Sequence, residues 1–208
     1  HLILAEDERN AEEIYEDYRF YDKNVYFYPA KDLLFFQADI HGNLLIRQRM
    51  RVIRALLEQE EVTVVTSIDG CMDFLMPLEK IRSRLLHFKS DSVIDLDQLK
   101  EELVELGYER TGQVELPGQF SVRGGIIDIY PLTEDNPWRI ELWDDEVDSI
   151  RTFDPESQRS VEQLDRVVIY PASETVLTKG QLEKGIKRLE EETASYVKAL
   201  EGQKRREE

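Results

Sequence analysis

The sequence predicts two architectures in one chain: a small parallel α/β part, followed by an antiparallel α+β part. In the first third, short β-branched or aromatic runs alternate with stretches of helical apolar spacing, which favours a parallel sheet covered on its faces. From Tyr108 to Tyr170, period-two runs are separated by turn residues, which favours an antiparallel meander. The pattern changes near Pro77–Arg84.

His1–Ala5 is a short apolar run and the first predicted strand. Asp7 is placed to cap a helix on which Ala11, Ile14, Tyr15 and Tyr18 recur at helical spacing. Val25–Tyr28 is a second strand, stopped by Pro29. Arg47–Glu60 reads as a helix with Met50, Ile53 and Leu57 along one side and Arg54 at the edge of the stripe. Val62–Thr66 is a third strand; Ser67 then caps a short helix through Leu75, which Pro77 closes. Cys71, the only cysteine, lies among apolar residues there and is expected to be a buried, inert thiol. One thiol permits neither an intrachain disulfide nor a multi-thiolate metal site.

In the second part, Leu85–Phe88 reads as a strand. Asp95 caps a helix with Leu96, Leu99, Leu103 and Leu106 on one stripe, and Gly107 suits its left-handed end. Pro117-Gly118 marks a turn, and Gly124-Gly125 permits a sharp bend before Ile126–Tyr130. Arg139–Trp143 and Val147–Phe153 flank Asp144-Asp145-Glu146, as in a hairpin, and Val167–Tyr170 is the last expected strand. Gln181–Glu208 has a discontinuous apolar stripe of Leu182, Ile186, Leu189, Val197 and Leu200. Thr193 interrupts it, so an amphipathic helix packed on its parent domain is expected rather than a coiled coil.

Of 208 residues, 44 are acidic and 27 basic, a net charge of −17. A duplex-binding domain gains affinity from clustered Lys and Arg that release counterions, so nucleic acid is a poor first candidate as main partner. On its own the acidity indicates no more than a solvated surface. No apolar run approaches the roughly 20 residues of a membrane span and no signal-peptide pattern opens the chain, so the expected compartment is cytoplasmic. The chain starts at His1 in mid-strand without an initiator Met and ends in a charged helical stretch, as a piece of something longer is expected to do.

No local motif points to catalysis, although the residues of a triad converge only in space and leave no fixed spacing. Gly124-Gly125 precedes a strand rather than a helix, so no helix N-terminus is available for a phosphate and the pair reads as a turn device. His1, His41 and His87 lie far apart, with no metal-ligand spacing, and no nucleophile-elbow motif supports a triad. Asp144-Asp145 reads as a solvated turn. One strand stands out. In Arg139-Ile140-Glu141-Leu142-Trp143, alternation puts Ile140 and Leu142 on one face and Arg139, Glu141 and Trp143 on the other. Arg123 likewise falls opposite Phe120 and Val122. Trp and Arg are enriched in binding hot spots, so this is a candidate interaction patch. A cation–π pair or a covered Trp that stabilises the sheet itself is the other reading.

The run from Gly118 through Arg123-Gly124-Gly125 to Tyr130-Pro131 resembles the bacterial transcription-repair coupling factors (Mfd) and, more distantly, UvrB. Trp138–Arg151, Phe153-Asp154 with Gln158-Arg159-Ser160, Tyr170-Pro171-Ala172-Ser173-Glu174, Tyr28–Phe36 and Gln48-Arg49 extend the likeness along the chain. The resemblance implies the N-terminal UvrB-like module of that family: a truncated, P-loop-like α/β domain without the loop (residues 1–78 and 171–208), interrupted by an inserted α+β domain (79–170). It implies that the insert docks the excision-repair protein UvrA through Arg123, Arg139 and Trp143. It further implies a non-catalytic, monomeric fragment with no cofactor or metal of its own. ATP, RNA polymerase and DNA would be bound by domains outside it, and another domain of the longer protein would contact the same patch. UvrB carries a long tyrosine-rich hairpin between the positions of Phe27 and Arg49; here that connection is too short for one. The competing expectation is a UvrB-like DNA-remodelling or ATPase fragment.

Overall fold

β-Branched runs and side-chain caps place the first elements where periodicity puts them. The computed structural model describes residues 1–31, 39–58 and 61–207. Strands β1 (Leu2–Ala5), β2 (Val25–Tyr28) and β3 (Thr63–Ser67) pair in parallel in the order β1-β3-β2. Helix α1 (Glu8–Tyr18) begins where the Asp7 carboxylate accepts the Asn10 N–H at 2.8 Å. Helix α2 (Asp39–Glu58) starts well before Arg47; its expected last residues, 59 and 60, lie outside the described residues, as does part of the connection between Phe27 and Arg49. Ser67 caps α3 (Ile68–Met72) by accepting the Gly70 N–H at 3.1 Å. The helix ends at Met72 rather than Leu75, because Asp73 turns extended and its carboxylate accepts the Lys31 N–H.

Cys71 corrects the sequence expectation: it is exposed. A five-residue helix has one inward face, and Gly70 takes it so closely that a Cβ there would stand 2.4 Å from Thr66 Oγ1. The next residue, about 100° further round the helix, faces out.

The stretch at the expected boundary forms α4 (Leu78–Arg82), before β4 (Leu86–Lys89) and α5 (Leu96–Glu105), whose cap Asp95 accepts the Asp97 and Gln98 N–H groups. Strands β5 (Glu109–Arg110), β6 (Gln119–Arg123), β7 (Ile126–Ile129), β8 (Trp138–Trp143), β9 (Glu146–Phe153) and β10 (Ser160–Leu164) make one sheet in the order β10-β9-β8-β7-β6-β5. Its neighbours are antiparallel except β5, which runs parallel to β6. β10 gives no sequence signal because its residues are exposed without alternation. The Val167–Tyr170 run leaves the meander: β11 (Arg166–Ile169) pairs antiparallel with β4, and its Val167 and Ile169 join the same apolar cluster as Leu86 and Phe88.

That cluster holds Met50 and Ile53 of α2, Met76 and Ile81 around α4, Leu99 and Leu103 of α5, and Ile127, Ile140 and Ile150 of the six-stranded sheet. His1–Val176 form one compact unit; Leu177–Glu208, with helix α6 (Lys179–Glu207), is a second. Among the described residues no helix is long and apolar enough to cross a membrane.

Gly107 ends α5 at φ +90°, and a Cβ there would lie 2.9 Å from Ser173 Cβ. The expected result for Gly107→Ala is a loss of about 1–3 kcal/mol, combining left-handed strain with displacement of the 172–173 segment. Urea unfolding of the two proteins measures it; equal midpoints and slopes would contradict it.

Candidate functional site

The face that each β8 residue takes is fixed by pairing. Ile140 stands opposite Ile127 and Ile150, whereas Arg139 stands opposite Asp128 and Arg151. Opposed residues share a face, so the isoleucines make an inner row and Asp128, Arg139 and Arg151 an outer one. Near the end of β8 the register shifts: Glu141 pairs with Ser149 but Leu142 pairs with Val147, leaving Asp148 as the extra residue. Leu142 still packs against the core, and Trp143 stays outside at 79% exposure. Trp138, the other tryptophan, is buried at the start of the same strand.

Arg139 lies on the predicted face, but its guanidinium is not free. Nε donates to Asp128 Oδ1 at 2.7 Å, and Nη2 donates to Asp128 Oδ2 at 2.8 Å and to Gln158 Oε1 at 3.0 Å. Its side chain is 16% exposed, and its guanidinium carbon lies 4.4 Å from the Phe153 ring centroid. Phe153, Val114 and Tyr130 form a small apolar cluster apart from the main core. Phe153 and Tyr130 share strand parity with the outer row, so part of that face is covered rather than solvated, and Arg139 closes over it. The hydrogen bonds that Arg139 donates to the Asp128 carboxylate hold its pKa above its ordinary value. In the structure the carboxylate that Arg139 holds is its own chain's Asp128.

Arg123 differs. Its Nη2 donates to the same Asp128 Oδ2 at 2.8 Å, yet its side chain is 48% exposed. Gly124-Gly125 closes the β6–β7 hairpin, with Gly124 at φ +60°. Gly125 accepts the Leu142 N–H at 2.8 Å, which brings that turn beside the end of β8. Arg123 and Trp143 thus occupy the same end of the sheet. Asp144 and Asp145 form the adjoining turn, both exposed, with Asp144 at φ +59°.

Asp128 escaped the sequence reading. It is 1% exposed and binds two arginines. The available signal was an acid inside the strand run Ile126-Ile127-Asp128-Ile129, since a buried carboxylate needs a cation.

A second charged cluster lies elsewhere. Arg49 is fully buried and donates to both Glu174 oxygens, to Asp73 Oδ2 at 2.8 Å, to Pro29 O at 2.6 Å and to Tyr28 Oη. Lys31 Nζ also pairs with Glu174, at 2.9 Å. All five Arg49 donors are occupied, so the cluster is a structural tie between β2, α2, α3 and the segment after β11. Burial pushes the Tyr28 phenol up to about 12.

Residues 86–174 match the UvrB interaction domain family. That span runs from the first residue of β4 to Glu174 and encloses Arg123, Asp128, Arg139 and Trp143. The chain is 39% identical over 186 residues, 89% of its length, to a transcription-repair-coupling factor of Bacillus subtilis (strain 168), of which this is 16%. The same-named protein of Staphylococcus epidermidis (strain RP62A) is 37% identical over 85% of the chain and 15% of the relative. That of Staphylococcus aureus (strain Mu50) is 36% identical over 82% and 14%. The chain spans about one sixth of the length of the curated relatives it matches.

Proposed function

We propose that this chain, which belongs to the transcription-repair coupling factor family and carries a UvrB interaction domain at residues 86–174, is a non-catalytic docking module that recruits UvrA in nucleotide excision repair. The module is an α/β part at residues 1–78, an inserted docking domain at 79–170, and a return segment at 171–208. The observation that carries the proposal is Trp143, a large aromatic left 79% exposed beside a half-exposed arginine, at the end of a strand whose other apolar residues fill the core. A tryptophan contributes little to folding at that exposure, whereas a desolvated tryptophan at the centre of an interface contributes strongly. Trp143 is the anchor, and Arg123 meets a carboxylate of UvrA. Arg139 acts through Asp128, holding the carboxylate that aims Arg123. ATP, RNA polymerase and DNA are bound by other parts of the longer protein, and one of those parts covers the patch until docking is required.

The test sets UvrA against the activities of a remodelling fragment. The chain is expected to form a complex with purified UvrA, to leave duplex DNA unretained on a filter at low salt, and to release no phosphate from ATP. Salt-sensitive DNA retention or nucleotide turnover, with no UvrA complex, would reverse the assignment.

A further inference from the structure

We propose that the docking surface extends across two strand spacings from Trp143 to Val93, and that its partner offers two apolar contact points with a basic side chain between them. The inference deepens the docking reading and rests on it. Val93 lies outside the named strands, in the loop ahead of α5, yet it forms an antiparallel bridge with Glu146. Val147 N–H donates to Ser92 O and Ile94 N–H donates to Asp145 O, both at 2.8 Å. These bonds flank Val93 and Glu146 and make them a non-hydrogen-bonded pair, the kind in which side chains stand closest. Glu146 is also paired with Trp143 across the β8–β9 hairpin. Val93, Glu146 and Trp143 therefore form one row on one face, with the apolar residues about 10 Å apart, two strand spacings.

The sheet does not need Val93 there, because the chain exposes it at 71% while the next residue, Ile94, is buried and anchors the loop. The row alternates apolar, acidic, apolar, and Asp144, Asp145 and Asp91 around it are exposed acids. Charge selects the occupant. A phosphate backbone, an anionic membrane or a second copy of this chain, with the same acidic row and a net charge of −17, would be repelled. A protein surface with a Lys or Arg between two apolar depressions fits.

The measurement is titration of purified UvrA with the wild-type chain, Val93→Ser, Glu146→Gln, Glu146→Lys and Trp143→Ala, each shown by thermal melting to be folded. Val93→Ser is expected to raise Kd about fivefold, the loss of one buried aliphatic contact. Glu146→Gln should weaken binding by a few fold and flatten its salt dependence, and Glu146→Lys should weaken it further. Wild-type affinity in Val93→Ser and both Glu146 variants, beside a weakened Trp143→Ala, overturns the extension and leaves the docking reading intact. Wild-type affinity in all four removes both.

Discussion

Arg49→Ala is expected to destabilise the chain by about 3–5 kcal/mol, a large share of the roughly 5–15 kcal/mol that holds a domain of ordinary stability. The size follows from what is left behind. Glu174 and Asp73 lose their shared guanidinium, the Pro29 carbonyl loses its donor, and among the described residues only Lys31 remains paired with Glu174. A buried carboxylate with too few donors either takes up a proton or admits water, and both cost folding free energy. Arg49→Met should lose nearly as much, because it restores stem volume but no charge. Combining Arg49→Met with Glu174→Gln should recover at least about 1 kcal/mol relative to Arg49→Met alone, since replacing both partners of a buried pair is far milder than removing one. Urea unfolding of the four proteins decides the matter. A loss below about 1 kcal/mol for Arg49→Ala would mean the cluster is not the tie described.

Asp128→Ala should lower stability by about 2–3 kcal/mol and also weaken UvrA binding. The stability cost is discounted from that of a fully buried pair because Arg123 can rehydrate, while Arg139, pressed over Phe153, cannot do so freely. The binding loss arises because Arg123 loses the carboxylate that holds its guanidinium at the end of the sheet and must be ordered on docking. Asp128→Asn keeps a neutral acceptor and should lie between wild type and alanine in both measurements. Arg123→Ala separates the two roles: it is expected to leave the unfolding midpoint nearly unchanged while weakening UvrA binding. A stability loss in Arg123→Ala matching that of Asp128→Ala would make Arg123 a structural residue instead.

Much of this was legible from residues alone, for definite reasons. Asp7, Ser67 and Asp95 cap helices because a short side-chain acceptor ahead of an apolar stripe has one local use, and the structure places each bond there. Period-two alternation put Ile140 inward and Trp143 outward, and the register shift at Asp148 left that assignment intact because Leu142 is drawn to the core. What stayed hidden depends on long-range contact. β10 has no apolar period, and β11 finds its partner in β4, far back in the chain. Cys71 is exposed because Gly70, not the thiol, takes the inward face of a very short helix. Arg49 sits on the apolar side of α2 with Ile46, Met50 and Ile53, a spacing that marks it as buried, but nothing local names Glu174 as its partner. Arg139 lies on the face that alternation gives it, but alternation cannot reveal that Asp128 and Phe153 lie on the same side.

The most direct measurement is the affinity of purified UvrA for the wild-type chain and for Trp143→Ala, at matched salt, with unfolding curves for both. An exposed indole whose work begins only when a partner closes over it predicts identical unfolding and a binding loss of about 2–4 kcal/mol. Unchanged affinity in a fully folded Trp143→Ala would contradict it.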